Sequence, residues 1–248
     1  MAQAAIVTEA LYEFESGTGY QDTSGNGLNF GGSTGTYTLK ADDPASGSSY
    51  LSMDASTGPN AGDKTLIYGA DLTGLYQDNF AIGMWVRTDN TTLGGTFFAV
   101  DAYNINLKLI QDGDQWTAAY VHTGTDSAAV AAGRIGTAFD LQVDTWTHIS
   151  VIRESGDATF YVNGIAQGPS NSATIAAGAG NQTFLGGGGN AASDRDFYGD
   201  LDKVQVLSFA ASDSTQDILG VMGIPEPSSA ALLLGIGALA TVARRRRA

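Results

Sequence analysis

The chain has no cysteine, and among its 248 residues only five are proline and two are histidine. Without thiols, neither a disulfide framework nor a thiolate metal centre can form. That absence does not point to the cytoplasm, because a β-rich chain of this length has core enough to stand without cross-links. Cations are scarce too: 12 Lys and Arg face 26 Asp and Glu, for a formal charge of −14. Four of those 12 are Arg244 to Arg247, and Glu226 alone of the acidic residues lies beyond residue 224. Residues 1–224 therefore carry −17, from 8 basic and 25 acidic side chains. Such a surface repels phosphate backbones and argues against nucleic acid as a partner. It suits divalent cations, neutral glycans or basic proteins, and it also serves plain solubility. Long amphipathic helical patterns and internal repeats are missing, which leaves a single all-β domain with tails.

What the chain does have is strands. Trp146 to Gly164, WTHISVIRESGDATFYVNG, reads as two strands, Trp146 to Arg153 and Ala158 to Val162, around a polar turn at Glu154 to Asp157. β-Branched and aromatic residues fill both, because their bulk fits a pleated, half-buried surface. Trp146, His148, Ser150 and Ile152 point to one face, and Ile149 and Val151 to the other. Apolar side chains on both faces place the hairpin inside a sheet covered on at least one side. Asn163-Gly164 then predicts a type I′ turn, with Ile165 opening a third antiparallel strand. Around this meander the sequence predicts strands at Leu11 to Phe14, Tyr37 to Leu39, Tyr50 to Met53, Phe80 to Arg87, Thr96 to Asp101, Ile105 to Gln111, Trp116 to His122 and Asp202 to Phe209. Their near-regular spacing is the cadence of a sandwich. Asp213 to Leu219 reads as one short helical turn.

Two motifs are decoys. Asp112-Gly113-Asp114 resembles the opening of an EF-hand loop, but Thr117 and Thr123 stand where the required Gly and Glu belong, so it reads as a hairpin turn. Gly186 to Gly189 has no Gly-Lys-Ser/Thr after it and opens no helix, so it is not a phosphate cradle.

Trp-x-His, an aliphatic run, a turn and Phe-Tyr-Val-Asn-Gly resemble the central hairpin of LamG-type domains of the concanavalin A-like lectin/glucanase superfamily. LYEFESGTGYQDTSGNG, FAIGMWV, and FLGGGG with FYGDLDKVQVLSFAAS resemble further parts of the same domain, in the same order, over roughly residues 10–222. The resemblance implies a two-sheet antiparallel β-sandwich of jelly-roll type. It does not fix the function, because that fold hosts lectins, glycosidases and adhesion modules.

Retaining glycosidases need two carboxylates about 5–5.5 Å apart, and on this fold a Glu-x-Asp-x-(x)-Glu strand supplies them. No such motif occurs here. Glu13 and Glu15 stand two apart on an expected strand and would share a face, but near the domain edge. His122 and His148 have no nucleophile motif around them. The expectation is a non-catalytic domain. Calcium is the one cofactor the residues support: Asp22 and Asn26, with carbonyls near Gly25 and Gly27, fit a hard cation. The resemblance implies that the last strand brings Asp202, and with it Asp200, beside them. Tyr103, Trp116 and Tyr120 are the candidates for stacking on sugar rings.

The C-terminal segment changes character. Pro225-Glu226-Pro227 precedes an apolar run, Ala230 to Ala243, and Arg244, Arg245, Arg246 and Arg247 follow. A helix over Ser228 to Ala243 would be about 24 Å long, a short transmembrane helix that spans only if the bilayer thins. The arginines would hold the C-terminus in the cytoplasm and the sandwich outside. The set resembles the PEP-CTERM sorting signal, processed near Pro-Glu-Pro by an exosortase. At the other end, Met1 to Ala5 has neither a basic nor an apolar signal region, and Ala2-Gln3-Ala4 resembles the end of a signal peptide lying upstream. These readings divide the chain into an N-terminal segment (1–9), a LamG-like sandwich (10–222) and a sorting segment (223–248). They predict an exported, surface-sorted domain that binds glycan or extracellular matrix. Its alternatives are a structural envelope or biofilm-matrix protein without ligand, and a hydrolase with an unrecognised carboxylate pair.

Overall fold

The computed structural model describes residues 5–34, 37–53, 66–70, 79–88, 95–100, 105–112, 115–121, 142–168, 171–172, 183–186, 197 and 199–224. These form two antiparallel sheets and one short helix. The larger sheet holds β1 (Val7–Tyr12), β3 (Tyr37–Lys40), β4 (Tyr50–Met53), β6 (Phe80–Arg87), β10 (Thr147–Glu154), β11 (Asp157–Val162), β12 (Ile165–Ala166), β13 (Asn171–Ser172) and β15 (Gly199–Ser208). The smaller holds β2 (Gly32–Thr34), β5 (Leu66–Ala70), β7 (Gly95–Val100), β8 (Ile105–Asp112), β9 (Gln115–Val121) and β14 (Thr183–Leu185). Strand order is β12-β11-β10-β6-β15-β4-β3 in the first, with β1 on β15 and β13 on β11, and β2-β5-β14-β7-β8-β9 in the second.

The expected meander is present. β10 pairs β11 from Ile149↔Val162 to Glu154↔Asp157, so the turn is Ser155-Gly156 alone rather than four residues. Both turn residues have positive φ, 53° and 96°, and Asn163-Gly164 repeats the pattern at 48° and 77°. Two left-handed residues in a row define the type I′ turn, whose twist matches that of the flanking strands. β8 and β9 pair down to Asp112↔Gln115, the antiparallel pairing expected of a hairpin at Asp112.

Alternation along β6 and β10 sorts the core into two. Phe80, Ile82, Met84 and Val86 join Ile149, Val151, Phe160, Leu201, Val204 and Val206 between the sheets, where Leu185 of the smaller sheet meets them. Their neighbours on the outer face, Ala81, Ile152 and Leu207, pack instead under the helix α1 (Thr215–Val221) and the residues just after it, through Ile218, Leu219, Met222 and Ile224. Ser214 caps α1, its hydroxyl accepting from the N–H of Asp217. Both faces of the central strands are thus covered.

Three boundaries differ from the sequence reading. β1 begins at Val7, which puts part of the expected N-terminal segment into the sheet. Ile224 is buried with α1, so the domain extends past residue 222. Strand β1 also stops at Tyr12, because Phe14 turns to φ 54°. Glu13 and Glu15 therefore do not share a strand face: Glu13 accepts from the Thr23 hydroxyl, and Glu15 accepts from the backbone and hydroxyl of Ser48.

Phe160 is fully buried between the sheets, whereas Ile165 on β12 is 59 % exposed. Phe160→Ala is expected to cost about 3–5 kcal/mol, and Ile165→Thr to stay within about 0.5 kcal/mol. Urea unfolding of the two variants checks it; equal losses would contradict this division between core and edge.

Candidate ligand-binding rim on the large sheet

The outer face of the large sheet runs from ionic to apolar. Asp200 pairs with Arg87 in register; the next outward rows are Asp202–Trp85–His148, Gln205–Gly83–Ser150 and Leu207–Ala81–Ile152. α1 covers the apolar end. The loop between β3 and β4, residues 41–49, covers the ionic end.

Arg87 is the centre of that end, with its side chain only 12 % exposed. Its Nε donates to Asp200 at 2.9 Å and its Nη1 to Asp43 at 2.8 Å. The guanidinium lies 4.8 Å from the Tyr50 ring centroid and 4.6 Å from that of Trp146. Tyr50 and Trp146 meet edge to face at 5.4 Å, the geometry that aligns the positive edge of one ring with the negative face of the other. The Trp146 indole N–H donates to the Asp43 carbonyl at 2.8 Å, and the Tyr50 hydroxyl to Asp42 at 2.8 Å. Trp146 itself is half-buried and the Asp43 carboxylate 71 % exposed. The rim is therefore a fixed aromatic–cation cluster with an accessible acidic margin.

β15 sets the neighbouring row. One of its edges pairs with β6, while the other pairs first with β4 and then with β1. A bulge separates the two halves, and within it Lys203 takes φ 44°. Asp202, fully buried, accepts from the Ser46 N–H at 2.8 Å, tying the loop to the sheet. Burial pushes its pKa up to about 7, against the pull of the N–H groups of Ser46, Lys203 and Ala45. His148 is buried on the other side of Trp85, its ring 5.2 Å from the indole. Burial, with a smaller contribution from Lys203, lowers its pKa to about 3, so it is neutral. Neither Asp202 Oδ1 nor His148 Nδ1 has a hydrogen-bond partner among the described residues.

Asp22 and Asn26 share one loop, where both bond the Ser24 hydroxyl, while Asp202 bonds the 41–49 loop. Both oxygens of Asp22 are used within its own loop, by the N–H groups of Leu11, Ser24 and Leu28 and by the Ser24 hydroxyl. Burial raises its pKa, and these four donors outweigh that to leave it below the usual range. Asn26 donates to the carbonyls of Thr8 and Glu9, fastening the loop to β1. Asp202 serves a different loop. Among the described residues no three acidic, His or Cys side chains group as a metal would require.

Trp116 and Tyr120 stand on β9, opposite Gln111 and Leu107, and their side chains are outside what is described. Tyr103, Pro225 to Pro227, Ala230 to Ala243 and Arg244 to Arg247 lie outside the described residues. Among the described residues no helix is long and apolar enough to cross a membrane. Sequence reasoning missed Arg87, Tyr50, Asp43 and the rim position of Trp146. One signal was available: with 8 cations among 25 acidic residues, an arginine closing a β-strand is a natural ionic hub.

Asp202 and His148 pull stability in opposite directions. The native state keeps a proton on Asp202 between its ordinary 3.8 and about 7, so this carboxyl lowers stability as pH rises through that window. The native state refuses a proton on His148 between 6.5 and about 3, so this imidazole lowers stability as pH falls through that window. In the native chain the two slopes offset. Asp202→Asn is expected to leave stability rising from pH 3 to 6.5, and His148→Gln to leave it falling from pH 4 to 7, each by an amount on the order of a few kcal/mol. Unfolding at a series of pH values checks both; parallel profiles for the two variants would contradict the assignment.

The chain matches the family model described as the concanavalin A-like lectin/glucanases superfamily over residues 60–215, more than half its length. A PEP-CTERM protein-sorting motif matches residues 219–247, the mark of an exported protein processed at the cell envelope. No curated protein matches the chain in sequence. Among solved structures it is similar to domain 4 of AbnA, an extracellular arabinanase from Geobacillus stearothermophilus, in complex with arabinotriose. That likeness has 18 % identity and a TM-score of 0.59, and covers 84 % of this chain and 95 % of that one. It is also similar to botulinum neurotoxin type C, whose cell entry depends on two ganglioside molecules (14 % identity, TM-score 0.54, 87 % of this chain). A third is Trypanosoma rangeli sialidase in complex with sialic acid (11 % identity, TM-score 0.54, 86 % of this chain). The chain spans about half of the neurotoxin chain (51 %) and a third of the sialidase (32 %). At these identities the likeness shows the fold, and with the family match it leads to one conclusion: the chain belongs to the concanavalin A-like lectin/glucanase superfamily and ends in a PEP-CTERM sorting motif.

Proposed function

We propose that this is an envelope protein whose sandwich binds a neutral glycan without cleaving it, at the rim built by Trp146, Arg87 and Asp43. The observation that carries the reading is the half-buried Trp146 indole, oriented by Asp43 and Arg87 beside an exposed carboxylate. An aromatic face with hydrogen-bonding groups at its margin offers a sugar ring its apolar face and its hydroxyls their partners. The acidic surface disfavours sialylated and other anionic sugars. Asp43 and Asp200 each hold one oxygen on the same guanidinium. That arrangement ties both carboxylates to Arg87 and supports binding rather than hydrolysis by a free carboxylate pair. The solved complex of an arabinanase domain with arabinotriose agrees with a neutral oligosaccharide as ligand class.

A second reading has its own support. The Arg87 guanidinium occupies one face of Trp146, and the indole N–H is already spent, so the same cluster serves equally to staple the loop in a structural protein without ligand. A glycan array with residues 5–224, run with calcium and with chelator, separates the two. Binding to neutral oligosaccharides that Trp146→Ala weakens roughly tenfold, about 1.4 kcal/mol of stacking and contact, with no release of reducing ends, is the expected outcome. Binding that Trp146→Ala leaves intact would contradict this site.

The sorting motif implies an exosortase-type protease as partner, with the apolar run Ala230 to Ala243 as a transient membrane hold. The mature protein is then expected to end near Pro225-Glu226-Pro227, which mass spectrometry of the native form tests. A mature form that still ends in Arg247-Ala248 would contradict it.

A further inference from the structure

The sorting motif begins at residue 219, inside α1, so residues 219–224 belong to the fold as well as to the signal. Leu219, Met222 and Ile224 are buried on the outer face of the large sheet. The chain leaving α1 is closed by three backbone bonds: Met222 N–H to Ile218 O at 3.2 Å, Gly223 N–H to Gly220 O at 3.0 Å and Ile224 N–H to Leu219 O at 3.0 Å. Gly223 takes φ 81° to allow this. Two glycines, Gly83 on β6 and Gly164 in the turn before β12, are notches for the side chains. A Cβ on Gly83 would stand 2.6 Å from Met222 Sδ, and one on Gly164 would stand 2.8 Å from Ile224 Cγ2. Lys203, turned outward by its bulge, brings Nζ to within 3.2 Å of where a Gly223 Cβ would be. There its charge complements the C-terminal end of α1. Pro225 is the next residue, so no spacer separates the clamp from the Pro-Glu-Pro stretch.

We propose that this clamp gates processing. The inference rests on the sorting reading and adds its control: the bond near Pro225 becomes available when α1 to Ile224 lifts from the sheet. A protease acts on chain freed locally from its fold, and where opening is fast the rate follows the population of the open form. With Ile224 buried, the closed form offers no free chain on the N-terminal side of Pro225. Folding of the domain and removal of its sorting tail are coupled through Met222, Ile224 and the two glycine notches.

The test is a pulse-chase of the full chain, exported in a cell that carries an exosortase-type protease, with loss of the C-terminal segment followed by mass. The native chain is compared with two others. One has a short Gly/Ser spacer between Ile224 and Pro225, which leaves the clamp closed but frees the chain beyond it. The other is Ile224→Asp, which opens the clamp. Both are expected to be cut roughly tenfold faster than the native chain, or more. An unchanged or slower rate in either overturns the gate, and the spacer chain still decides the matter if Ile224→Asp fails to fold. If none of the chains is cut, the sorting reading itself has failed and the gate falls with it; cutting at one common rate removes the gate alone.

Discussion

β15 has more partners than a strand has edges. It shares one edge with β6 along most of its length, and on the other it must serve β4 and then β1. Antiparallel ladders tolerate such a handover only by a local break in register, and the bulge at Asp202–Lys203 is that break. Its consequences spread outward. Asp202 holds the backbone of the 41–49 loop, Lys203 reaches the end of α1, and Val204 and Val206 return to the inter-sheet core. A left-handed lysine costs free energy, and the packing on either side of it holds it in place.

The outer face of the large sheet shows how one surface serves two purposes. At one end its side chains are charged and are covered by a loop through hydrogen bonds and an arginine held between carboxylates. At the other they are apolar and are covered by a helix through burial. Between them lies the Asp202–Trp85–His148 row, where burial raises the pKa of a carboxyl and lowers that of an imidazole. Their titrations act on stability in opposite directions as pH changes.

Membership of the superfamily settles the scaffold but not the ligand. The solved relatives include an arabinanase domain with arabinotriose bound and a sialidase with sialic acid bound. What separates chemistries of that kind is the local arrangement of carboxylates and aromatics. Here the carboxylates of Asp43 and Asp200, beside the half-buried Trp146 indole, are both paired with Arg87. The sorting motif overlaps α1, so the signal for processing at the cell envelope begins inside the folded domain.

Local information reached far along the chain because strand alternation and turn chemistry are local. The Phe80–Arg87 strand, the β10–β11 hairpin, the Asn163-Gly164 turn and the hairpin at Asp112 were all legible in residue order, and so was the superfamily, through Trp-x-His and Phe-Tyr-Val-Asn-Gly. The sorting motif was legible for the same reason, being contiguous. Partners distant in sequence were not legible. Asp22, Asn26 and Asp202 look like a hard-cation set on paper, but the hydrogen bonds that Asp22 accepts from Leu11, Ser24 and Leu28, and Asp202 from Ser46, come from loops that only folding brings to them. Arg87 meets Asp43, Asp200, Tyr50 and Trp146 from four separate stretches, and no periodicity announces that meeting. Alternation told which residues of β10 share a face. Only the docking of α1 decided that the second face is buried too, because a seven-residue helix finds its stability in the surface it covers rather than in its own sequence.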